Sequence, residues 1–371
     1  MDQAEQAERK SGYPILGGWP LAPPILEEEV LSSWLVRAAL RHSCTALALT
    51  GDLWPGWRYW CSDPDVSLSE ERLSRLSVRS GISEQELRDT LLRLFIDGVR
   101  GESPGSPGCY PWILCLGSRN RRRAGGLQYC PNCFAEETPY YRRHSRLSWH
   151  TVCARHQTLL RDRCPHCEAP LCPHLLEPPA SNLVRCHRCR RMLSEADALK
   201  GPRDAYCFQA FADRVLVEGH GLFGGQLLKT SEWFYLARWI TGFLRSAAMH
   251  PTSHAQHFLR ELGIEIGWLI PPASGLPLEM LPPYERAQQL SICWRILQAG
   301  PNRLENAVMS AGVPPSMFAP PQGCVPTLVD DLMKLLGEPR CRALPRPAIV
   351  VPRSPSSVLK MWHRLLRKIQ R

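Results

Sequence analysis

The chain has 371 residues, a formal net charge of +10, 44% hydrophobic residues and sixteen cysteines. Residues 1–10 are polar and charged, so no export signal is visible, and no apolar run approaches the roughly 18 residues that a membrane span needs. The sequence therefore argues against a secreted or membrane protein and predicts a cytoplasmic one. The length predicts two or three domains, and the positive charge predicts a polyanionic partner.

Residues 1–24 are predicted to be a flexible leader, and residues 25–117 an N-terminal helical domain. A helix is predicted after two prolines, with the acidic residues 27–29 near its start, where the helix dipole favours negative charge. Its buried face is predicted from apolar residues at helical spacing: Leu31, Trp34, Leu35, Ala38 and Ala39. The aromatic segment 54–60 is expected to pack beside this helix as core.

Residues 69–96 have the spacing of a helix-turn-helix unit. A capping box of Ser83 and Glu86 is predicted to start the second helix, which continues through Phe95. An ordinary pair of packed helices has the same spacing, and from spacing alone this simpler interpretation is favoured. If the unit binds DNA, the outward side chains that enter the major groove are Arg88 and Arg93.

A basic segment follows a Gly/Pro-rich linker at residues 101–117. It has four arginines within five residues, namely Arg119, Arg121, Arg122 and Arg123. Residues 119–191 contain fourteen arginines, no lysine and five acidic residues, so they hold almost the entire net charge of the chain. Arginine favours bidentate contacts to phosphate or carboxylate, which makes these four residues candidates for contact with nucleic acid or a partner. A solvated charged surface is the alternative.

Two complete metal-ligand quartets lie within residues 118–200, the segment predicted to form tandem zinc-binding modules. The first consists of Cys130, Cys133, Cys153 and His156, and the second of Cys164, Cys167, Cys186 and Cys189. A two-residue gap lets one tight turn present both ligands to a tetrahedral ion, and the longer gaps let the chain return to close the site. Neither quartet leaves an open position, so the spacing predicts two structural Zn²⁺ ions. The second quartet ends among further candidate contact residues: Arg188, Arg190 and Arg191.

The cysteines outside the quartets are most simply buried small hydrophobic residues. In a reducing cytoplasm, C-x-x-C pairs are typical of metal sites rather than of disulfides. Cys172 and His174 lie close enough in sequence to replace a ligand of the second site, which is kept as an alternative.

Residues 201–337 are predicted to form a C-terminal helical domain. Ser231 is predicted to cap one helix, a second spans residues 283–298, and Pro301 opens a third. Residues 338–371 are predicted to be a Pro/Arg-rich linker and a basic amphipathic terminal helix. The predicted fold class is therefore mainly α with small zinc-ribbon or knuckle modules.

No catalytic residue is predicted. The chain has no HExxH, no phosphate-binding loop of the G-x-x-x-x-G-K-[ST] type, no GxSxG and no GxGxxG that opens a helix. The segment from His166 to Glu168 spells H-x-E, but no P-C-x-x-C follows, as a zinc deaminase would need. The sequence favours a protein that is not an enzyme.

The order of these parts resembles the TniQ/TnsD family of transposon target-selection proteins, over residues 25–195. Residues 31–37 (LSSWLVR) are similar to the family's SWL-x-R motif, and residues 129–137 (YCPNCFAEE) to its CPxCLxED-like knuckle. Residues 153–167 are similar to its CxxHxxxLxxxCPxC join between two zinc modules. This sequence departs in having Phe134 where leucine is common, and in its unusually basic loop at residues 118–126.

The resemblance implies an adaptor of Tn7-like or CRISPR-associated transposons. Such proteins link a target-recognition device, either target DNA or an RNA-guided Cascade-type effector, to the AAA+ ATPase that recruits the transposase. The family's zinc ligands correspond to the eight residues of the two quartets. The alternative is an autonomous, zinc-dependent, sequence-specific DNA-binding protein that reads a site or regulates transcription. Homodimerisation is left open.

Overall fold

The computed structural model describes residues 18–61, 63, 65–100, 110–115, 126–265, 267, 269, 277–318, 325–335, 359 and 362. Residues 1–336 form one compact unit and residues 337–371 another. The described part of the first unit is mainly helical, as predicted. Its α-helices are α1 (Leu31–Arg41), α2 (Ala46–Leu53), α3 (Glu70–Ser80), α4 (Glu84–Asp89), α5 (Arg93–Arg100), α6 (Pro131–Glu136), α7 (Arg203–Glu218), α8 (Thr230–Met249), α9 (Ser253–Glu261), α10 (Pro283–Ala311) and α11 (Thr327–Leu335).

Helix α1 begins later than its acidic flank suggests. Residues 27–29 lie outside the helix because Glu28 has φ 58° and Glu29 pairs as an isolated β-bridge with Arg142. Glu29 is buried, and its carboxylate accepts hydrogen bonds from Ser33 Oγ at 2.8 Å and Arg37 Nη1 at 2.6 Å. The prediction that these acids occupy the first helical turn is therefore wrong, whereas every residue of the predicted apolar face is buried.

The helix-turn-helix region is more broken than predicted. Gly81 ends α3 with φ 73°, and the capping box of Ser83 and Glu86 starts α4 as expected. However, α4 ends at Asp89, because the chain turns at Thr90 before α5 begins. The second helix is thus six residues long and does not continue through Phe95.

Two large apolar clusters hold the first unit together. The first cluster joins the N-terminal helices to the cysteine-rich segment, for example Trp34 and Leu35 of α1 with Tyr129 and Leu193. The second joins α5 and the region of Trp112 and Trp149 to helices α7–α11. The division into domains at residues 25–117, 118–200 and 201–337 remains a prediction. Each cluster contains apolar residues from more than one of these segments.

The segment after residue 200 contains a β-hairpin that was not predicted from the sequence. Strands β1 (His220–Phe223) and β2 (Gln226–Lys229) form an antiparallel hairpin between α7 and α8. Gly224 and Gly225 both have positive φ at its turn, and a Gly-Gly pair between apolar residues is a recognised hairpin signal.

One predicted helix boundary in this segment is wrong and another is correct. The N-cap of α8 is Lys229, whose N–H donates to Glu232, so Ser231 lies inside the helix and does not cap it. Helix α10 is kinked at Gly300, where φ is 79°, and Pro301 opens its second part as predicted.

The second unit is described at two positions. Leu359 and Trp362 are helical, and their side chains are exposed. The rest of the predicted linker and basic terminal helix lies outside the described residues. In the part of the chain that the structure describes, none of the helices is long and apolar enough to cross a membrane.

Candidate metal centres

The structure brings the eight predicted ligands together as two groups of four. Within each group the sulfur and nitrogen donor atoms all lie within 4.8 Å of one another. The first centre contains Cys130, Cys133, Cys153 and His156, and the second contains Cys164, Cys167, Cys186 and Cys189. Each centre therefore unites two short motifs that are distant in sequence.

Local turns place each pair of ligands. In the first pair, Cys130 is the N-cap of α6 and Cys133 lies within that helix. The other three pairs share a different geometry, because the residue immediately after the second ligand has a positive φ in each: Gln157 (53°), Glu168 (55°) and Arg190 (64°). An isolated β-bridge flanks each of these three knuckles: Val152 with Leu159, Arg163 with Pro170, and Arg185 with Met192.

The distances fit a tetrahedral ion. Ligand sulfurs lie 3.7 Å apart for Cys133 and Cys153, 3.6 Å for Cys164 and Cys189, and 3.7 Å for Cys167 and Cys186. Around Zn²⁺ with Zn–S bonds of about 2.3 Å, tetrahedral geometry separates two sulfurs by about 3.8 Å. A disulfide needs about 2.05 Å. The two quartets could therefore hold metal ions, and their donor types favour zinc.

A carboxylate that is not a metal ligand orients the histidine of the first centre. His156 Nδ1 lies 3.5 Å from Cys130 Sγ, 3.3 Å from Cys133 Sγ and 3.6 Å from Cys153 Sγ. Its other nitrogen, Nε2, lies 3.0 Å from Glu136 Oε2. A proton on Nε2, donated to Glu136, leaves the Nδ1 lone pair free to bind a metal.

The alternative ligands of the second centre lie elsewhere. Cys172 is not part of the group, and the His174 ring stacks on Trp60 with centroids 4.9 Å apart. Burial lowers the pKa of His174 to about 4, with a smaller contribution from His187. The stack joins this module to the N-terminal region.

The remaining cysteines were predicted to be buried, and this holds for only part of them. Among those that the structure describes outside the quartets, Cys293 is buried, Cys61 is exposed, and the following are half-buried: Cys44, Cys115, Cys172 and Cys207.

The candidate contact arginines fall into different environments. Arg88 forms ion pairs with Glu70 and Glu84, and Arg93 with Asp97. The pair with Glu70 links α4 to α3, whereas the pair of Arg93 lies within α5. The DNA contact predicted for both arginines remains a prediction. The candidates at positions 119 and 121–123 lie outside the described residues.

The two centres differ in the arginines beside them. At the first, Arg155 pairs with Glu136 and with Glu137. At the second, four exposed arginines occupy seven positions: Arg185, Arg188, Arg190 and Arg191. Three of the four line an open depression of about 480 Å³. Arg185 was not predicted, although its position beside Cys186 was a usable signal.

The two closed ligand quartets on a helical framework could each hold a structural metal ion. Residues 20–160 match the family model TniQ, a stretch that runs from the N-terminal region through the first centre. No curated protein matches the chain. Residues 20–160 therefore carry a TniQ domain, which indicates a role in transposition, as an adaptor or in DNA binding.

Proposed function

We propose that this chain is a non-enzymatic adaptor that couples target recognition to transposition. It links a recognition device, either a Cascade-type RNA-guided complex or target DNA, to an AAA+ regulator and through it to the transposase. The observation that carries the proposal is the TniQ domain at residues 20–160, whose C-terminal end contains a closed metal-ligand quartet. A closed centre offers no open position for a reacting water, which suits a scaffold.

The eight quartet residues are proposed to ligate two structural Zn²⁺ ions. Bound zinc would supply folding free energy, because each ion would hold together two motifs that are distant in sequence. Cys164 and Cys186 also lie within the first apolar cluster. The metal-bound modules and the N-terminal helices are therefore expected to fold together.

Ligand substitution tests the metal proposal. Cys130→Ser and Cys164→Ser should each lower the zinc content from two ions per chain to one and lower the melting temperature. Cys61→Ser, at an exposed cysteine outside the quartets, is the matched control and should keep both ions. Elemental analysis and thermal unfolding measure these outcomes, and two bound ions in either ligand variant would refute the assignment.

Reconstitution tests the adaptor role. Zinc-loaded protein is expected to capture a transposon-encoded AAA+ ATPase, together with either a Cascade-type complex or target DNA. Size-exclusion chromatography of the purified components measures this directly. Failure to bind the ATPase under any combination would contradict the adaptor proposal, whatever the zinc content.

The second candidate is an autonomous sequence-specific DNA-binding protein. It is favoured by the four exposed arginines beside the second centre. Arg190 pairs with Glu177, whereas Arg188 forms no ion pair within the described residues. The logarithm of the DNA-binding constant falls linearly with the logarithm of the salt concentration, and each phosphate contact adds about 0.9 to the steepness of that slope. Replacing Arg188 and Arg191 with Gln should therefore flatten that dependence, whereas Arg155→Gln, at an arginine paired with Glu137, should leave it unchanged.

Specificity separates the two candidates. A site reader binds its own duplex at least about a thousandfold more tightly than unrelated DNA. An adaptor that relies on an RNA-guided complex shows weak, sequence-independent DNA binding together with tight binding of its protein partners. Competition between specific and random duplexes at one fixed salt concentration decides between them.

A further inference from the structure

One face of α7 lies along the residues that precede the second ligand pair of the first centre. Asp213 Oδ1 accepts a hydrogen bond from Trp149 Nε1 at 2.9 Å and lies 2.8 Å from His150 Nε2. Gln209, one helical turn earlier, contacts the next two residues of the same segment. Residues four apart share a face of a helix. This face of α7 therefore follows the chain up to the residue before the ligand Cys153.

Gln209 pairs with the edge of the knuckle that carries this ligand pair. Its side chain is buried, since the residue is only 2% exposed. Its Oε1 accepts from the N–H of Thr151 at 3.2 Å and from that of Val152 at 3.3 Å, and its Nε2 donates to the Val152 carbonyl at 3.0 Å. On the other side, Val152 forms a β-bridge with Leu159. The amide of Gln209 thus pairs with Val152 as the peptide group of a neighbouring strand would.

The chain that leads into α7 contacts the opposite edge of the same knuckle. The N–H of Leu159 donates to the Leu199 carbonyl at 2.7 Å, and the N–H of Gly201 donates to the Gln157 carbonyl at 2.9 Å. Both edges of the knuckle are therefore bonded to α7 or to the residues just before it.

The second centre is not bonded to the helices in this way. Within the described residues, its two knuckles (residues 163–170 and 185–192) form no hydrogen bond to helices α7–α11. A ligand segment that is fixed before the metal arrives loses less conformational freedom on binding, so its affinity is higher. We expect this advantage at the first centre alone.

We propose that Gln209 is a positioning residue of the first metal centre, and that this centre and α7 are energetically coupled. By holding the backbone at Val152, Gln209 fixes Cys153 and His156 relative to the first ligand pair. Coupling between two parts of a molecule is reciprocal, so a metal ion in the first centre stabilises α7. The inference rests on the metal ligation proposed above and goes beyond it, because it gives a residue of the C-terminal helices a role in that site.

A cobalt titration of the full-length protein tests the role of Gln209. Co²⁺ bound by three sulfurs and one nitrogen differs in its visible absorption from Co²⁺ bound by four sulfurs, so the two centres are followed separately. Gln209→Met removes all three hydrogen bonds from a side chain of similar length. It should weaken cobalt binding at the first centre at least about fivefold, the lower end of typical coupling between sites, and leave the second centre unchanged. Gln289→Met, at a buried glutamine of α10, is the matched control and should leave both affinities as in the parent.

Hydrogen exchange tests the coupling without a substitution at Gln209, and it decides the matter if Gln209→Met does not fold. Cys164→Ser should keep only the first centre, and Cys130→Ser only the second. Cobalt added to Cys164→Ser should slow amide exchange in α7 more than in α9. Cobalt added to Cys130→Ser should change exchange in the two helices equally.

Three results would overturn the coupling: an unchanged first centre in Gln209→Met, an equal loss of affinity at both centres in that variant, or equal slowing of exchange in α7 and α9 when cobalt fills the first centre of Cys164→Ser. A parent protein that binds no cobalt at either centre would overturn the metal ligation itself, and this inference with it. The two failures are therefore distinguishable.

Discussion

In the first centre, neighbouring side chains contact two of the four ligands. Glu136 holds His156 Nε2, and Thr158 Oγ1 lies 3.2 Å from Cys130 Sγ. Substituting a residue that orients a metal ligand typically lowers the metal affinity by about 10- to 100-fold. The spacing C-x-x-H identified His156, but nothing in it pointed to Glu136, because α6 brings this acid to the histidine only in the folded chain.

Removing this orienting contact should weaken the first centre alone. We expect Glu136→Ala to lower the zinc affinity of that centre by about tenfold, since His156 loses the partner that fixes its tautomer. Glu137→Ala removes the same charge one position away but leaves His156 bonded to Glu136, so its affinity should match the parent. Chelator competition measures both centres, and identical affinities in the two variants would show that Glu136 has no positioning role.

The stacked pair of His174 and Trp60 makes stability depend on pH. The pKa of His174 is about 4 in the folded chain and about 6.5 for an unperturbed histidine. The unfolded chain therefore binds a proton first as the pH falls, so stability declines below about pH 6.5, at most about 1.4 kcal/mol per pH unit from this group.

Phenylalanine at this position should remove that dependence. His174→Phe keeps an aromatic ring on Trp60 but cannot be protonated, so its stability should fall less between pH 6.5 and 5.5 than that of the parent. His257→Phe, at an exposed histidine of α9, should keep the parent slope. Urea unfolding in excess zinc measures the slopes, and equal slopes in His174→Phe and the parent would contradict the assignment.

At the scale of elements, the three knuckles depend on one backbone conformation. Gln157, Glu168 and Arg190 adopt the left-handed region, which costs a residue with a side chain roughly 1–2 kcal/mol. Glycine adopts it freely. The conformation repeats at the same position after each of these three ligand pairs, which indicates that closing the turn around the centre imposes it.

Substitution at Gln157 should reveal this constraint. Gln157→Gly is expected to leave the stability within about 1 kcal/mol of the parent or to raise it. Gln157→Val should cost about 1–2 kcal/mol, because a β-branched residue is disfavoured at positive φ. Ser181→Val, at an exposed loop position without positive φ, is the control and should change little. Equal effects of the two valine substitutions would contradict the argument.

Two features fixed by short-range signals were predicted correctly. The capping box of Ser83 and the metal knuckles depend on residues three or four positions apart. The predicted start of α1 was wrong because Glu29 forms a β-bridge with Arg142, which lies beside it only in the folded chain. The Gly-Gly hairpin was a local signal and was overlooked.

At the scale of the whole molecule, a buried ionic network joins the N-terminal region to the segment between the metal motifs. Arg146 is fully buried, and its guanidinium lies 2.5 Å from an oxygen of Asp65 and 2.5 Å from one of Asp63. Asp65 also accepts a hydrogen bond from the backbone of Ser32, at the start of α1. No spacing or motif in the sequence predicted this contact.

Breaking the network should be costly. Arg146→Ala is expected to destabilise the zinc-loaded protein by about 3–5 kcal/mol, because it leaves the buried carboxylate of Asp65 without its cation. The added substitution Asp65→Asn should recover part of the loss. Arg93→Ala, at an exposed ion pair, should cost less than about 1 kcal/mol. Chemical unfolding measures all three variants, and a loss at Arg146 no larger than that at Arg93 would show that the network contributes little.

The first apolar cluster has a consequence for the cell. It contains the sulfur-bearing residues Cys164 and Cys186 and also the inner face of α1. If zinc is bound there as proposed, a newly made chain that finds no metal leaves that face open to water, where it invites aggregation or degradation. Metal starvation would then deplete the protein itself, and if the chain is the adaptor proposed above, transposition would follow the zinc supply of the host.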